Sequence, residues 1–287
     1  MPSHTVSAAA AGTIALGDLT VNRLGFGGMR LVGPGVWGPP RDRANALAVL
    51  RRAVELGVNL IDTADSYGPH VDEELIAEAL YPYPAGLVIA TKAGFTRPGP
   101  GKWVPDGRPD SLRSAVEGSL RRLRVDRIDV LQFHTPDPNV PYEESIGALA
   151  ELQRAGKIRH LGVSNVDSDQ LAGARRITTI VSVQNRLPAD GSDDDEERDV
   201  LAICERDHLV YFPWAPLGGG SLVPDAFERV ARVHHATVNQ VALAYLLRRS
   251  PVITPIPGTS SIEHLEENAG AAALAASLTD DEIATLR

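Results

Sequence analysis

Four side chains able to move protons and bind a polar oxygen follow apolar runs in this sequence. Asp62 ends VNLID, Lys92 ends LVIATK and His134 ends IDVLQFH, while Tyr67 sits past Asp62 in the loop DTADSYG. A free tyrosine has a pKa of about 10, too high for an efficient acid near neutrality. A nearby ammonium favours the phenolate and lowers that value, and Lys92 can supply the charge. Asp62 can keep Lys92 protonated and oriented. His134 can donate a hydrogen bond to a carbonyl oxygen and hold it against Tyr67. Together the four would deliver a proton to an oxygen that gains negative charge as hydride adds to its carbon. Asp, Tyr, Lys and one His lack the ligand set that zinc prefers, so no metal site is expected. Taken singly, each has an ordinary use: a solvated lysine, a capping aspartate, a satisfied histidine, a packed tyrosine. Their recurrence at successive strand ends is what marks a site.

The elements that must position them alternate along the chain. VNLID, LVIATK, IDVLQFH, IRHLGVSN, IVSVQN, LVYFPW and VITPIP are short and rich in branched residues, as buried parallel strands should be. Adding LGFGG at residues 24–28 gives eight candidate strands, each followed by a helix or long loop. Apolar stripes mark helices at Leu47, Leu50 and Val54, at Leu75, Ile76, Ala79 and Leu80, and at Leu112, Val116, Leu120 and Leu123. Asp110 or Ser111 is expected to cap the third of these, and Gly156 to end the helix that closes with ELQRAG. TIAL and LTVN, with Gly17 and Asp18 between them, read as a small hairpin ahead of the first strand. Eight βα units in about 250 residues predict an α/β chain folded as a (β/α)8 TIM-type barrel with a short N-terminal β-hairpin, active at the C-terminal ends of its strands. The alternative is a doubly wound sheet, which would usually carry a glycine-rich turn after its first strand; LGFGGMR does not fit that pattern. No linker interrupts the chain, so residues 1–287 are expected to form a single barrel domain, with 1–12 a loose tail.

Composition narrows the setting. The formal charge is −9 with no basic stripe, which argues against nucleic acid or an anionic membrane as partner. No apolar run is long enough to span a bilayer, and the start lacks the pattern of a secretion signal. The one cysteine, Cys204, fits a reducing compartment and the buried face of a helix, so a cytoplasmic location is expected. The acidic run Asp193–Glu197 reads as a helix start, where the dipole favours negative charge, rather than a cation site. His234 and His235 sit side by side on a predicted helix and make a poor metal pair. Arg121, Arg122 and Arg124 end a helix, where positive charge is expected.

LGFGG, VNLIDTADSYG, VIATKAG, LQFHTPD, LGVSN, VQN, PLGGG and IPGTSSIEHLEEN occur in that order, and on them nearly the whole chain resembles the aldo-keto reductase family. The resemblance implies a (β/α)8 barrel, a catalytic tetrad of Asp62, Tyr67, Lys92 and His134, and hydride from NADPH bound without a Rossmann motif. It implies cofactor contacts from Gly28, Met29 and Asp62, and from Ser164, Asn165 and Gln184 on the nicotinamide carboxamide. Trp214 falls where the family commonly stacks an aromatic ring on the nicotinamide, and Leu217, Gly218 and Gly219 where backbone amides approach the pyrophosphate. Gly258, Thr259, Ser260, His264, Glu267 and Asn268 match the segment around the adenosine.

Here the chain departs from the better-known pattern. Gly258 stands where many members have lysine and His264 where many have arginine, so NADPH is the expectation and NADH the alternative. VNRLGFGGMRLVGPGVWGPPRDR, YGPHV, EALYPY and IPGTSS carry a narrower resemblance to bacterial members that include a pyridoxal reductase, which makes pyridoxal a candidate substrate. Trp37, Phe95 and Trp103 lie after strands and are expected to line an apolar substrate pocket. IEHLEENAGAA and one last helix are not expected to supply the long C-terminal tail that closes the pocket in some relatives, so a rather open mouth is expected. The partner is then a small-molecule carbonyl; the sequence leaves the oligomeric state open. Two other readings stand beside this one: a nucleotide-binding sensor with little turnover, and a metal-dependent barrel hydrolase, for which only His134 and Asp62 would serve as ligands.

Overall fold

The computed structural model describes residues 6–189, 193–214, 216 and 225–286. A hairpin comes first, β1 (Thr13–Leu16) and β2 (Leu19–Asn22), turning at Gly17 and Asp18. Seven parallel strands follow: β3 (Phe26–Gly27), β4 (Leu60–Asp62), β5 (Val88–Ala93), β8 (Ile128–Phe133), β9 (Ile158–Ser164), β10 (Ile180–Gln184) and β11 (Val210–Tyr211). A second hairpin, β6 (Phe95–Gly99) and β7 (Lys102–Pro105), is inserted directly after β5.

The eighth staff of the barrel is VITPIP, and its prolines give it an unusual form. Tyr211 N donates to Val252 O and Thr254 N to Tyr211 O, both at 2.9 Å. On the other side, Gly25 N donates to Pro255 O (2.9 Å) and Gly27 N to Pro257 O (3.4 Å). Pro255 and Pro257 carry no N–H, so the segment accepts from β3 without donating back, and only a bridge forms at Ile253. The ring of eight parallel segments nevertheless closes, and the fold is a (β/α)8 barrel. Closure is tight at one point. A Cβ on Gly27 would lie 2.7 Å from Ile256 O, and one on Gly258 would lie 2.5 Å from Gly27 O. Glycine is the residue that lets these two backbones meet.

Helices cover the outside: α1 (Arg43–Glu55), α2 (Val71–Leu80), α3 (Pro109–Leu123), α4 (Tyr142–Arg154), α5 (Ser168–Ile177), α6 (Asp195–Asp207), α7 (Asp225–Val233), α8 (Val238–Arg249), α9 (Ile262–Ser277) and α10 (Asp280–Thr285). The stripes read from the sequence face inward, with Leu50, Leu75, Ile76, Leu112, Val116 and Leu123 buried. The barrel interior is a separate cluster of Leu60, Val88, Ala90, Val130, Val181, Val210 and Phe212, and Leu16 and Val21 of the hairpin join it. The hairpin therefore plugs the N-terminal end of the barrel and leaves the other end free for chemistry. Cys204 lies buried on α6, and burial pushes its thiol up to about 12, which makes it inert. Among the described residues no helix is long and apolar enough to cross a membrane.

Three expectations need correction. Residues 8–11 are not a loose tail: Ala8–Ala11 form a short 3-10 helix, Ala8 is fully buried, and its N–H donates to Leu56 O. Small side chains let that turn lie flat against the barrel. Neither Asp110 nor Ser111 caps α3. The helix begins at Pro109, and Asp106 accepts from Arg108 N ahead of it. His234 and His235 lie past the end of α7, where His234 pairs with Glu282. The other local readings hold. Asp194 caps α6 through a capping box with Glu197, Gly156 takes a positive φ just after α4, and Arg121 and Arg122 lie in the last turn of α3.

Candidate active site

Asp62, Lys92 and His134 stand at the C-terminal ends of β4, β5 and β8, and Tyr67 hangs above them in the loop that leaves β4. That loop is fixed by the sheet it leaves: Thr63 N donates to Ala90 O and Asp65 N to Lys92 O. Lys92 Nζ donates to Asp62 Oδ2 (2.6 Å), Thr63 O (2.9 Å) and Tyr67 OH (3.3 Å). The other carboxylate oxygen, Asp62 Oδ1, accepts from Gln184 Nε2 (3.0 Å) and Gln132 Nε2 (3.2 Å). Tyr67 and His134 face each other edge to face with ring centroids 6.0 Å apart. Behind His134, Ser66 Oγ lies 3.4 Å from Nδ1. The four residues named from their chemistry are thus brought to one spot.

Burial dominates the electrostatics there. It raises the Tyr67 phenol above its ordinary value and outweighs Lys92, which pulls the other way. The expected depression of that pKa is therefore reversed, and the phenol keeps its proton throughout the neutral range. Burial, then Lys92 and Arg97, drive His134 well below the usual imidazole value, so the ring is neutral. Below the site, Asp65 and Asp72 are buried carboxyls pushed up to about 8 and about 7, chiefly by desolvation.

Phe95 and Trp103 sit on the inserted hairpin β6–β7 and pack against the Tyr67 and His134 rings. Phe95 lies 4.7 Å from His134, and Trp103 lies 6.2 Å from both Tyr67 and His134, centroid to centroid. With this hairpin folded over it the mouth is narrower than expected: Tyr67 and His134 are only 6% and 7% exposed. Trp37 is half-buried in the loop after β3, bridged to Gly68. Its ring lies 5.8 Å from the guanidinium of Arg97, which no sequence pattern singled out. The Arg97 guanidinium donates to the carbonyls of Lys102 (2.8 Å), Val36 (3.0 Å), Ser66 (2.8 Å) and Gly35 (2.9 Å), and lies 3.6 Å over the Trp103 ring. It ties both hairpin strands and the loop after β3 to the residue preceding Tyr67. Gln132 was likewise missed, although a glutamine inside the apolar run IDVLQFH was a visible signal.

On the opposite side of the mouth, Ser164, Asn165 and Gln184 gather at the ends of β9 and β10. Ser164 Oγ donates to Gln184 O (2.7 Å), and Asn165, at φ 56°, donates from Nδ2 to His134 O (2.9 Å). Trp214 Nε1 donates to Asn165 Oδ1 (2.9 Å), which anchors the indole while 40% of the residue stays exposed. An exposed ring held at its edge offers a face for stacking. Met29, Gly258, Thr259 and Ser260 line a cleft of about 630 Å³ beside β3. Gly28 stands at the end of β3, packed closely on Asp72. His264, Glu267 and Asn268 do not line the cleft; they lie farther along α9, where Ser261 caps the helix by accepting from His264 N. Leu217, Gly218 and Gly219 lie outside the described residues. No group of three or more potential metal ligands occurs among the described residues.

Comparison with known proteins agrees with this geometry. A sequence model described as the Aldo/keto reductase family matches residues 23–287. A pyridoxine 4-dehydrogenase of Escherichia coli is 47% identical over 281 residues, covering 96% of each chain. An uncharacterised oxidoreductase of Schizosaccharomyces pombe is 44% identical over 274 residues, covering 95% of this chain and 88% of the relative. Among solved structures, a thermostable aldo-keto reductase in complex with the inhibitor epalrestat superposes with a TM-score of 0.83 at 31% identity, covering 96% of this chain and 98% of that one. An aldo-keto reductase of Klebsiella pneumoniae in complex with NADPH gives a TM-score of 0.78 at 27% identity, covering 96% and 93%.

Proposed function

The chain belongs to the aldo/keto reductase family and is a nicotinamide-dependent oxidoreductase, and from that premise we propose that it reduces an aldehyde or ketone with NADPH, Tyr67 delivering the proton. The observation that carries this reading is the double engagement of Lys92, bonded at once to Asp62 and to the Tyr67 hydroxyl. The residues around the mouth suit the cofactor. An exposed indole anchored at Trp214 offers a stacking face, Ser164, Asn165 and Gln184 carry the hydroxyl and amides that a carboxamide needs, and the glycines at 27 and 258 thin the wall beside the cleft. When bound, the cofactor supplies the hydride.

Tyr67 and His134 divide the remaining work by their protonation. A neutral imidazole is a poor proton source but a good hydrogen-bond donor. Ser66 donating to Nδ1 would leave the His134 proton on Nε2, free for the substrate oxygen. Tyr67 holds a proton that Lys92 makes easier to give up, because the ammonium stabilises the phenolate left behind. Asp62 keeps that ammonium charged and in place. Phe95 and Trp103 shield the reacting carbonyl from water and present flat apolar edges.

Pyridoxal is the substrate we favour. The E. coli relative is named for pyridoxine, whose oxidation at an alcohol carbon gives the aldehyde that a reductase would take in reverse. A flat, aromatic aldehyde also matches the Phe95 and Trp103 walls. The test is nicotinamide oxidation across pyridoxal, other aldehydes and ketones, with NADPH and NADH in parallel. Pyridoxal turned over far faster than the rest supports the narrow reading. Turnover of other carbonyls alone removes pyridoxal, and no turnover of any carbonyl removes the reductase reading.

A further inference from the structure

The cleft beside β3 has an unexplained wall. Besides Gly258, Thr259 and Ser260, it is lined by the short 3-10 helix Gly28–Leu31 and the loop leading to α1, which bring Arg30 and Arg41 to it. Both arginines are exposed, and neither has an ion-pair or hydrogen-bond partner among the described residues. Their neighbours on α1 differ: Arg43 pairs with Glu78 and Arg52 with Glu266. The carboxylate at the cleft, Asp42, is engaged as the α1 cap, accepting from Asn45 N. In a chain of net charge −9, two unpaired cations on one cleft create a local field of opposite sign.

Arg30 also takes over a place that position 258 cannot fill. A Cβ on Gly258 would meet Gly27 O at 2.5 Å, which leaves no room for a side chain where β3 and residues 252–257 join. The same imagined Cβ lies 3.5 Å from Arg30 Cγ, so the arginine stem passes over that spot. Charge that position 258 cannot carry is supplied from the opposite wall. Guanidinium groups match the oxygens of a phosphate monoester with paired N–H donors, and Thr259 and Ser260 add hydroxyls.

We infer that this cleft binds a terminal phosphate monoester through Arg30 and Arg41, with Thr259 and Ser260 completing the set. The inference rests on the cofactor reading above, under which the ester is the 2′-phosphate of NADPH. The two arginines, rather than a cation on α9, then set the preference for NADPH over NADH.

Calorimetric titration of the full chain with NADP+, NAD+, adenosine 2′-phosphate and adenosine tests this. Wild type is expected to bind NADP+ more tightly than NAD+, and the 2′-phosphate more tightly than adenosine. Arg30→Ala and Arg41→Ala should each weaken both phosphorylated probes by roughly tenfold, and NAD+ by much less. Arg30→Lys should recover part of the loss, and added salt should weaken NADP+ more than NAD+. Equal losses for NADP+ and NAD+, or no loss in either alanine variant, overturn the inference while the cofactor reading stands. Wild-type protein that binds neither dinucleotide overturns both.

Discussion

Lys92 Nζ lies 2.6 Å from Asp62 Oδ2, with the lysine side chain 1% and the aspartate side chain 5% exposed. An ammonium so far from water stays charged only when paired. Burial works against it, yet Asp62 and the Tyr67 oxygen outweigh that effect and hold Lys92 above its ordinary value. The second Asp62 oxygen is occupied by the amides of Gln132 and Gln184. The lysine is therefore a fixed cation, and Tyr67 sits within its reach.

Lys92→Met should remove activity and cost stability together. It leaves the Asp62 carboxylate buried without its cation, a change that typically costs about 3–5 kcal/mol. Asp62→Leu in the same chain should restore part of that stability without restoring turnover, because the uncompensated charge is gone but the phenol still lacks its ammonium. Urea unfolding of the single and double variants, alongside turnover, separates the two effects. A single variant as stable as wild type would mean that the pair is not a buried ion pair in solution.

Tyr67→Phe isolates the proton. The ring keeps its edge contacts with Trp103 and His134, and Lys92 keeps Asp62, so folding and cofactor affinity should be close to wild type. Turnover should fall roughly 10²–10⁴-fold, the range of a lost general acid. The raised phenol pKa adds a second expectation: reduction by wild type should show no loss from Tyr67 ionisation below about pH 10. Steady-state kinetics with the best carbonyl found, run from neutral to alkaline pH, measures both.

Much of this site was legible because barrels place chemistry where apolar runs stop. Asp62, Lys92 and His134 each follow a run of residues buried on both faces, and that pattern is local in sequence. What could not be read depends on partners distant along the chain. Arg97 gained its meaning from carbonyls at Gly35, Val36 and Ser66, brought to it only when the hairpin β6–β7 folds over the mouth. The sign of the Tyr67 shift was misread because the ammonium is visible in the sequence and the depth of burial is not. Residues 8–11 looked loose because alanines carry no pattern, although their small size is what lets them pack against the barrel. VITPIP was read as an ordinary strand, but two missing N–H donors leave it half-bonded.

Asp65→Asn should flatten the pH dependence of stability. The folded-state pKa of Asp65, pushed up to about 8 by burial and by Glu73, lies above its ordinary value of 3.8. A raised value means that the folded chain binds the proton more tightly than the unfolded chain. Its contribution is then fully present below the unfolded pKa and is lost as pH rises through the folded one. Wild type should therefore lose stability progressively from about pH 4 to about pH 8 and level off above that; between about pH 7 and pH 8 His134 is neutral in both states, so the slope there is read apart from it. Asparagine, which cannot ionise, should remove much of that slope, with Asp72 supplying part of what remains. Urea unfolding at several pH values decides it; equal slopes in the two proteins would show that Asp65 does not hold its proton.

Arg97 should act through position and charge, and two variants can tell these apart. Its guanidinium spans four carbonyls and stacks on Trp103, a geometry that a lysine cannot reproduce, while its charge helps keep His134 neutral. Arg97→Lys should loosen the hairpin and the loop carrying Tyr67, lowering kcat/KM for the carbonyl by roughly tenfold or more, since small misplacements near reacting atoms are costly. Cofactor affinity should change little, because Trp214, Ser164 and Asn165 lie across the mouth from it. Arg97→Met should show the same kinetic loss and, in addition, let the His134 pKa rise toward the ordinary imidazole value. A shifted acid limb in the pH profile of Arg97→Met, absent in Arg97→Lys, would separate the charge from the clamp. Wild-type kcat/KM in both variants would reduce Arg97 to packing.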